Sequence, residues 1–138
     1  MKLNGIVEEL QWADDDMRLE IMLDYADRLP PLPEAYHALR DAGLNMVHEC
    51  QSPVFLMVEV NDGRVRILGD VPAEAPTARS FVAMMHEAFE GVTPEDVAAA
   101  PDRILHTMGL ERLLGMRRTQ GLSAVYQRIK DEVARVSA

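Results

Sequence analysis

The stretch from Val54 to Leu68 constrains the fold more than any other. Val54, Leu56, Val58 and Val60 alternate with Phe55, Met57, Glu59 and Asn61, the period of a strand with two distinct faces. Asn61-Asp62-Gly63 follows, three residues that tolerate positive φ in a tight turn. Val65, Ile67 and Leu68 then continue a return strand, with Arg64 and Arg66 on the other parity. A β-hairpin from about Ser52 to Asp70 is therefore expected, and Asn45–His48 is placed to add a third strand. An isolated hairpin is marginal in water, so something must cover it.

The cover is written in helical periods on both sides. Leu3, Ile6, Val7 and Leu10 form one stripe. A second helix is expected after Asp14–Asp16, where acids suit the positive end of the helix dipole, with Leu19, Met22, Leu23 and Ala26 on its buried side. It must stop before Pro30-Pro31, and Glu34–Ala42 reads as a short helix ending at Gly43. Beyond Pro72–Pro76, Ala78, Phe81, Val82, Met85 and Phe89 share a face that ends at Gly91. Thr93-Pro94-Glu95-Asp96 has the form of a helix start, with Thr93 as N-cap and Pro94 at the first helical position. Short helical pieces around Ile104–Leu105 and Leu110–Leu114 are separated by Gly109. A last helix, beginning near Thr119–Gly121, buries Leu122, Val125, Tyr126, Ile129, Val133 and Val136. Grouped strands flanked by helices predict an α+β fold: a small antiparallel sheet of about three strands packed against several helices, in one domain over residues 1–138.

Charge and cysteine usage narrow the chemistry. Lys+Arg is 14 against 23 Asp+Glu, a net charge of −9. Such a surface lacks the phosphate-neutralising patch of a nucleic-acid binder but suits a basic patch on a protein partner. Glu8 and Glu9 interrupt any apolar core in Met1–Leu10, and no stretch is long enough for a membrane span, so an export signal and membrane insertion are not expected. Cys50 is the single cysteine. It cannot form an internal disulfide, a zinc site of several thiolates or a four-thiolate cluster, and an unpaired thiol fits a reducing cytoplasm. Lysine occurs only as Lys2 and Lys130, both near a terminus, which argues against a pocket lysine carrying pyridoxal phosphate. No pair of histidines among His37, His48, His86 and His106 has metal-ligand spacing on one helix, so no metal site is expected.

A lone cysteine is often a small buried hydrophobe. Here His48, Glu49, Gln51 and Ser52 surround it with polar groups, and Pro53 disfavours regular structure at Ser52, which favours an accessible thiol on a turn. Glu49 opposes the thiolate and His48 would favour it. An accessible thiol with no strong local base suggests a carrier whose partner completes the reaction. Arg117-Arg118 reads either as two surface arginines ahead of the last helix or as a cation folded back to the cysteine segment; spacing alone leaves both open.

The strings together resemble the SufE/CsdE family of sulfur-acceptor proteins. Arg28-Leu29-Pro30 with Leu32 resembles its "LP-x-L" helix end. Asn45 and Val47 through Cys50-Gln51-Ser52 and Val54 resemble its "N-x-V-x-G-C-Q-S-x-V-W" signature, and Gly91-Val92-Thr93-Pro94 its "G-x-T-P" helix start. Leu110, Leu113, Arg118 and Gly121-Leu122 resemble its closing "L-x-x-x-L … R-x-x-G-L". Three departures stand out: Glu49 replaces the usual glycine, Phe55 the usual tryptophan, and Val71–Ser80 is longer and richer in proline and alanine.

The resemblance implies a SufE-like fold and a protein that takes persulfide sulfur from a cysteine desulfurase (SufS/CsdA-like) onto Cys50. It would stimulate that enzyme and pass the sulfur to an iron–sulfur scaffold. Arg118 would stabilise the sulfur anion, and His48, Glu49, Gln51 and Ser52 would shape the loop or touch the partner. The chain would hold no cofactor of its own, pyridoxal phosphate residing in the desulfurase, and would have no independent turnover. Homodimerisation stays open. Two readings compete: a binding module that regulates a desulfurase or another enzyme, with Cys50 structural, and an independent cysteine hydrolase, for which no family-type motif is visible.

Overall fold

A computed structural model describes residues 2–49 and 52–137. Its centre is the expected antiparallel sheet, in the order β1 (Met46–Val47), β2 (Val54–Asn61), β3 (Arg64–Asp70). Asn61 pairs with Arg64 across Asp62 and Gly63, whose φ values of 53° and 74° give the two-residue turn of a tight hairpin. Val58 opposite Ile67 and Val60 opposite Val65 place one set of alternating residues on the main core face.

The opposite face is covered as well, which period-2 patterning did not anticipate for Phe55 and Leu68. Both are buried with Leu32 in a small second cluster beneath Tyr36 and Leu39. The segment that covers them is a 3-10 turn at Glu34–Tyr36 running into α3 (His37–Asp41). Tyr36 hydrogen-bonds Glu59, and Arg40 pairs with Asp70 at 2.9 Å, so this flap is tied to both strands of the hairpin.

The remaining helices are α1 (Lys2–Trp12), α2 (Asp15–Asp27), α4 (Pro76–Phe89), α5 (Pro94–Ala99), α6 (Ile104–Thr107), α7 (Glu111–Leu114) and α8 (Met116–Val136). Helix α4 packs on β3 with one side and on α1 and α2 with others. It is buried nearly all round: Phe81, Val82, Met84, Met85, Ala88 and Phe89 are each fully covered. Helix α8 lies against β2 and β1 and receives α5, α6 and α7 on its outer side. The Thr93 capping box with Asp96 forms as its sequence suggests.

Three sequence expectations are corrected. Met22 and Ala26 of α2 are buried as expected, joined by Tyr25, but Leu19 and Leu23 are 48% and 45% exposed. The buried stripe is narrower than the local pattern, running through Met22, Tyr25 and Ala26 on a helix that packs on α4. The last helix starts at Met116, three residues before Thr119, because Gly115 at φ 82° supplies the break. Arg117 and Arg118 are therefore within its first turn and not ahead of it. At the other end of that helix Val136 is exposed, because the core face stops at Val133.

Several polar side chains close the frame. Arg18 donates to the Leu10 carbonyl at 2.7 Å, joining α2 to the end of α1. Arg79 donates to the carbonyls of Ala26 and Val71, joining α4 to the end of α2 and the exit of β3. The Lys130 ammonium donates to the Ala100 carbonyl at 2.6 Å, at the end of α5.

Gly69 decides how closely α4 approaches the sheet. A Cβ there would lie 2.5 Å from Val82 Cγ1 and 3.2 Å from the Phe55 carbonyl oxygen. Gly69→Ala is expected to destabilise the domain by about 1–3 kcal/mol, the cost of overpacking a close-packed core, visible as a lower denaturant midpoint. An unchanged midpoint would mean that α4 can slide.

Tyr126 supplies a second test. Its hydroxyl donates to the Pro101 carbonyl at 2.7 Å, and its ring meets Phe81 edge-on. Burial, with Asp102 nearby, pushes the phenol up to about 12. The folded state thus resists ionisation that the unfolded chain undergoes near 10. Stability from this group is complete below pH 10 and is lost as pH rises towards 12. Alkaline melting between those limits should be shallower in Tyr126→Phe; an identical profile would remove Tyr126 from the account.

Candidate functional site

Strand β1 ends at Val47, and His48 and Glu49 then turn out into solvent, both exposed. The chain returns at Ser52, half-buried, and enters β2 at Val54. Cys50 and Gln51, singled out from the sequence, lie outside the described residues.

Ser52 borders a cleft of about 260 Å³. One wall is the start of α4, with Pro76, Thr77 and Ala78; another is the start of α8, with Arg117, Arg118 and Gly121. Glu74, on the approach to α4, also lines it. Thus the structure brings two of the expected residues, Ser52 and Arg118, to one cleft. His48 and Glu49 do not line it. The contribution of Glu74–Ala78 was not read from the sequence, where this stretch stood out only by its proline and alanine content. The signal available was Pro76, which starts α4 at its first turn and so fixes where the helix opens onto the sheet edge.

The electrostatics of the cleft are unusual for this protein. Of its twelve arginines, all but Arg117 and Arg118 meet a carboxylate or carbonyl oxygen among the described residues. These two unpartnered cations are adjacent, exposed and in the first turn of a helix of 21 residues. A cation there opposes the helix dipole, at a cost of about 0.3–1 kcal/mol each. Gly115 offers no side-chain cap to offset it. In a chain of net charge −9, two adjacent guanidiniums beside Ser52 thus have no oxygen partner among the described residues. Such a point favours an anion, and a thiolate or persulfide is one.

A second depression, a trough of about 230 Å³, adjoins the first. It runs between α2 and α7, lined by Leu19, Leu23 and Leu113, and shares Thr77 and Arg118 with the cleft.

The model of the SufE family, described as an Fe-S metabolism associated domain, matches residues 4–133. The chain belongs to the SufE family. Its relatives agree over the same span. A Mycobacterium tuberculosis protein described as an uncharacterized SufE-like protein is 34% identical over 129 residues, covering 93% of this chain and 88% of that one. A Synechocystis protein with the same description is 27% identical over 126 residues, covering 91% of this chain and 76% of its own. A solution structure of a hypothetical protein from Thermus thermophilus superposes with a TM-score of 0.85 at 33% identity, covering 99% of this chain and 97% of that one. Family membership confirms the α+β fold and associates the chain with iron–sulfur metabolism. Among the described residues, no helix is long and apolar enough to cross a membrane.

Replacing Arg117 and Arg118 together by Gln should leave the melting temperature unchanged or raise it slightly, since unfavourable cations leave the start of α8. A marked fall would show that the guanidiniums hold the fold together.

Proposed function

We propose that this protein is a sulfur acceptor and carrier: Cys50 takes persulfide sulfur from a cysteine desulfurase and delivers it for iron–sulfur cluster assembly. The observation that supports this reading most is a pair of arginines, without an oxygen partner among the described residues, that line one cleft with Ser52. Ser52 is two residues from Cys50, and two peptide units span at most about 7 Å. The family's association with iron–sulfur metabolism points the same way.

The reaction is a thiol exchange. The Cys50 thiolate attacks the outer sulfur of the desulfurase persulfide. The donor's S–S bond breaks, its cysteine leaves as a thiolate, and a new S–S bond forms on Cys50. No external oxidant or reductant is consumed. The terminal sulfur now carries the negative charge, and Arg118 is the residue we assign to stabilise it. Ser52, half-buried at the cleft, and Gln51 would set the approach of the loop. His48 and Glu49, both exposed, would meet the partner. A lone thiol can hold sulfur but not assemble a four-thiolate cluster, so the iron–sulfur scaffold is a separate protein. Pyridoxal phosphate would belong to the desulfurase.

Intact-protein mass measures the proposal directly. Incubation with a cysteine desulfurase and free cysteine should add about 32 Da per sulfur, removable by reductant because persulfides are reversible caps. Cys50→Ser should gain nothing. Arg118→Ala should load roughly tenfold more slowly, the worth of one charge-assisted hydrogen bond. A gain that persists in Cys50→Ser would sink the carrier role. Stimulation of the desulfurase by Cys50→Ser at the wild-type level, with no added mass on either protein, would favour a regulatory binding module.

A further inference from the structure

We infer that the trough between α2 and α7 is the face on which the sulfur donor docks, and that it recognises apolar side chains bordered by lysine or arginine. This inference rests on the carrier reading above and assigns its partner contact.

Three observations carry it. The first is apolar exposure where the core pattern called for burial. Leu19 and Leu23 are one helical turn apart, each nearly half exposed, and Leu113 of α7 faces them across the trough. Met116, 79% exposed, follows at the start of α8 beside Arg117. The second is continuity. Thr77 and Arg118 line both this trough and the cleft beside Ser52, so a body seated in the trough reaches the mouth of the cleft.

The third is charge. Asp16, Glu20 and Asp24 are exposed and recur at four-residue intervals, so they form a row along α2 next to Leu19 and Leu23. None has an ion-pair partner among the described residues. Like charges at that spacing disfavour the helix that bears them. The row is thus open to solvent at Glu20 and Asp24 and is complementary to a basic rim on another surface. It also argues against a second copy of this chain as the occupant. Two copies joined through this face would bring acidic rows together, on molecules of net charge −9. A donor protein is the occupant whose chemistry fits: apolar contacts give a dry centre, basic neighbours match the row, and its persulfide is delivered at the Arg118 end.

The test separates docking from sulfur chemistry. The variants are Leu19→Ser with Leu23→Ser, Glu20→Lys with Asp24→Lys, and Val136→Ser. Val136, 37% exposed, is the control at the far end of α8, about 30 Å from its start. Each is loaded with inorganic polysulfide, titrated into desulfurase turnover, and measured for desulfurase binding by calorimetry. Polysulfide should load Cys50 equally in all variants. The half-saturating concentration and the dissociation constant should rise roughly tenfold or more in the leucine pair, as for loss of interface anchors. Maximal stimulation should return at saturation. The charge-reversed pair should bind more weakly and lose most of its sensitivity to salt. Val136→Ser should match wild type.

Unchanged affinity in the leucine pair would overturn the inference, as would an equal loss in Val136→Ser. So would a wild-type dimer that the leucine pair converts to monomer, which would show a second copy in the trough. Failure of the carrier reading looks different: normal binding of the desulfurase with no sulfur gained on Cys50.

Discussion

The close approach of α4 to the sheet is the constraint on which the other contacts depend. A Cβ on any residue but glycine at position 69 would press to 2.5 Å from Val82 Cγ1. That contact lets a helix buried on nearly every side act as the spine of the domain, touching β3, α1 and α2. Its N-terminal residues, Pro76 to Ala78, then open beside the end of the loop that leads into β2. Thr77 stands between the cleft and the trough for the same reason. Interiors packed like crystals transmit such placements with little slack, so a change at Gly69 would be felt at the cleft as well as in stability.

The second determinant is where α8 begins. Gly115 takes a positive φ, and the helix starts at once at Met116 without a side-chain cap. Its long apolar face, through Leu122, Val125, Ile129 and Val133, anchors it along β2. The first turn projects beyond that anchor and carries Arg117 and Arg118 to the cleft. Packing further along the helix therefore holds the arginines in place, although neither is held by an ion pair among the described residues.

Much of the architecture was legible because it rests on short-range signals. Alternation around Asn61-Asp62-Gly63 defined the hairpin, Thr93-Pro94 a helix start, and Gly91 and Gly109 the breaks. What was not legible depends on which elements meet. Leu19 and Leu23 carry the same local period as Met22, and only the packing of α2 on α4 decides which side is covered. Phe55 and Leu68 lie on the parity that would face water in a one-sided sheet, and the flap at Leu32–Asp41 buries them. The start of α8 lies before Thr119 because Gly115 breaks the chain at a positive φ and arginine continues a helix readily. The candidate site was half legible: Ser52 and Arg118 come together, while Glu74 and Thr77 enter through tertiary placement alone.

Both charged features outside the core work against the fold that carries them. Cations at the start of α8 oppose its dipole, at about 0.3–1 kcal/mol apiece. The acids at four-residue spacing along α2 repel one another by about 0.2–0.5 kcal/mol per pair. A domain stable by about 5–15 kcal/mol can carry such losses; of these charges only Asp16, in the first turn of α2, is favoured by its helix dipole. Their signs are opposite: Arg118 lines the cleft and the trough, and the acids flank Leu19 and Leu23 of the trough along α2. The same sequence pairs its other arginines with oxygen atoms of its own. Arg117 and Arg118 alone among the arginines meet no such oxygen among the described residues, and the physical use of an open charge is to meet one that arrives from outside.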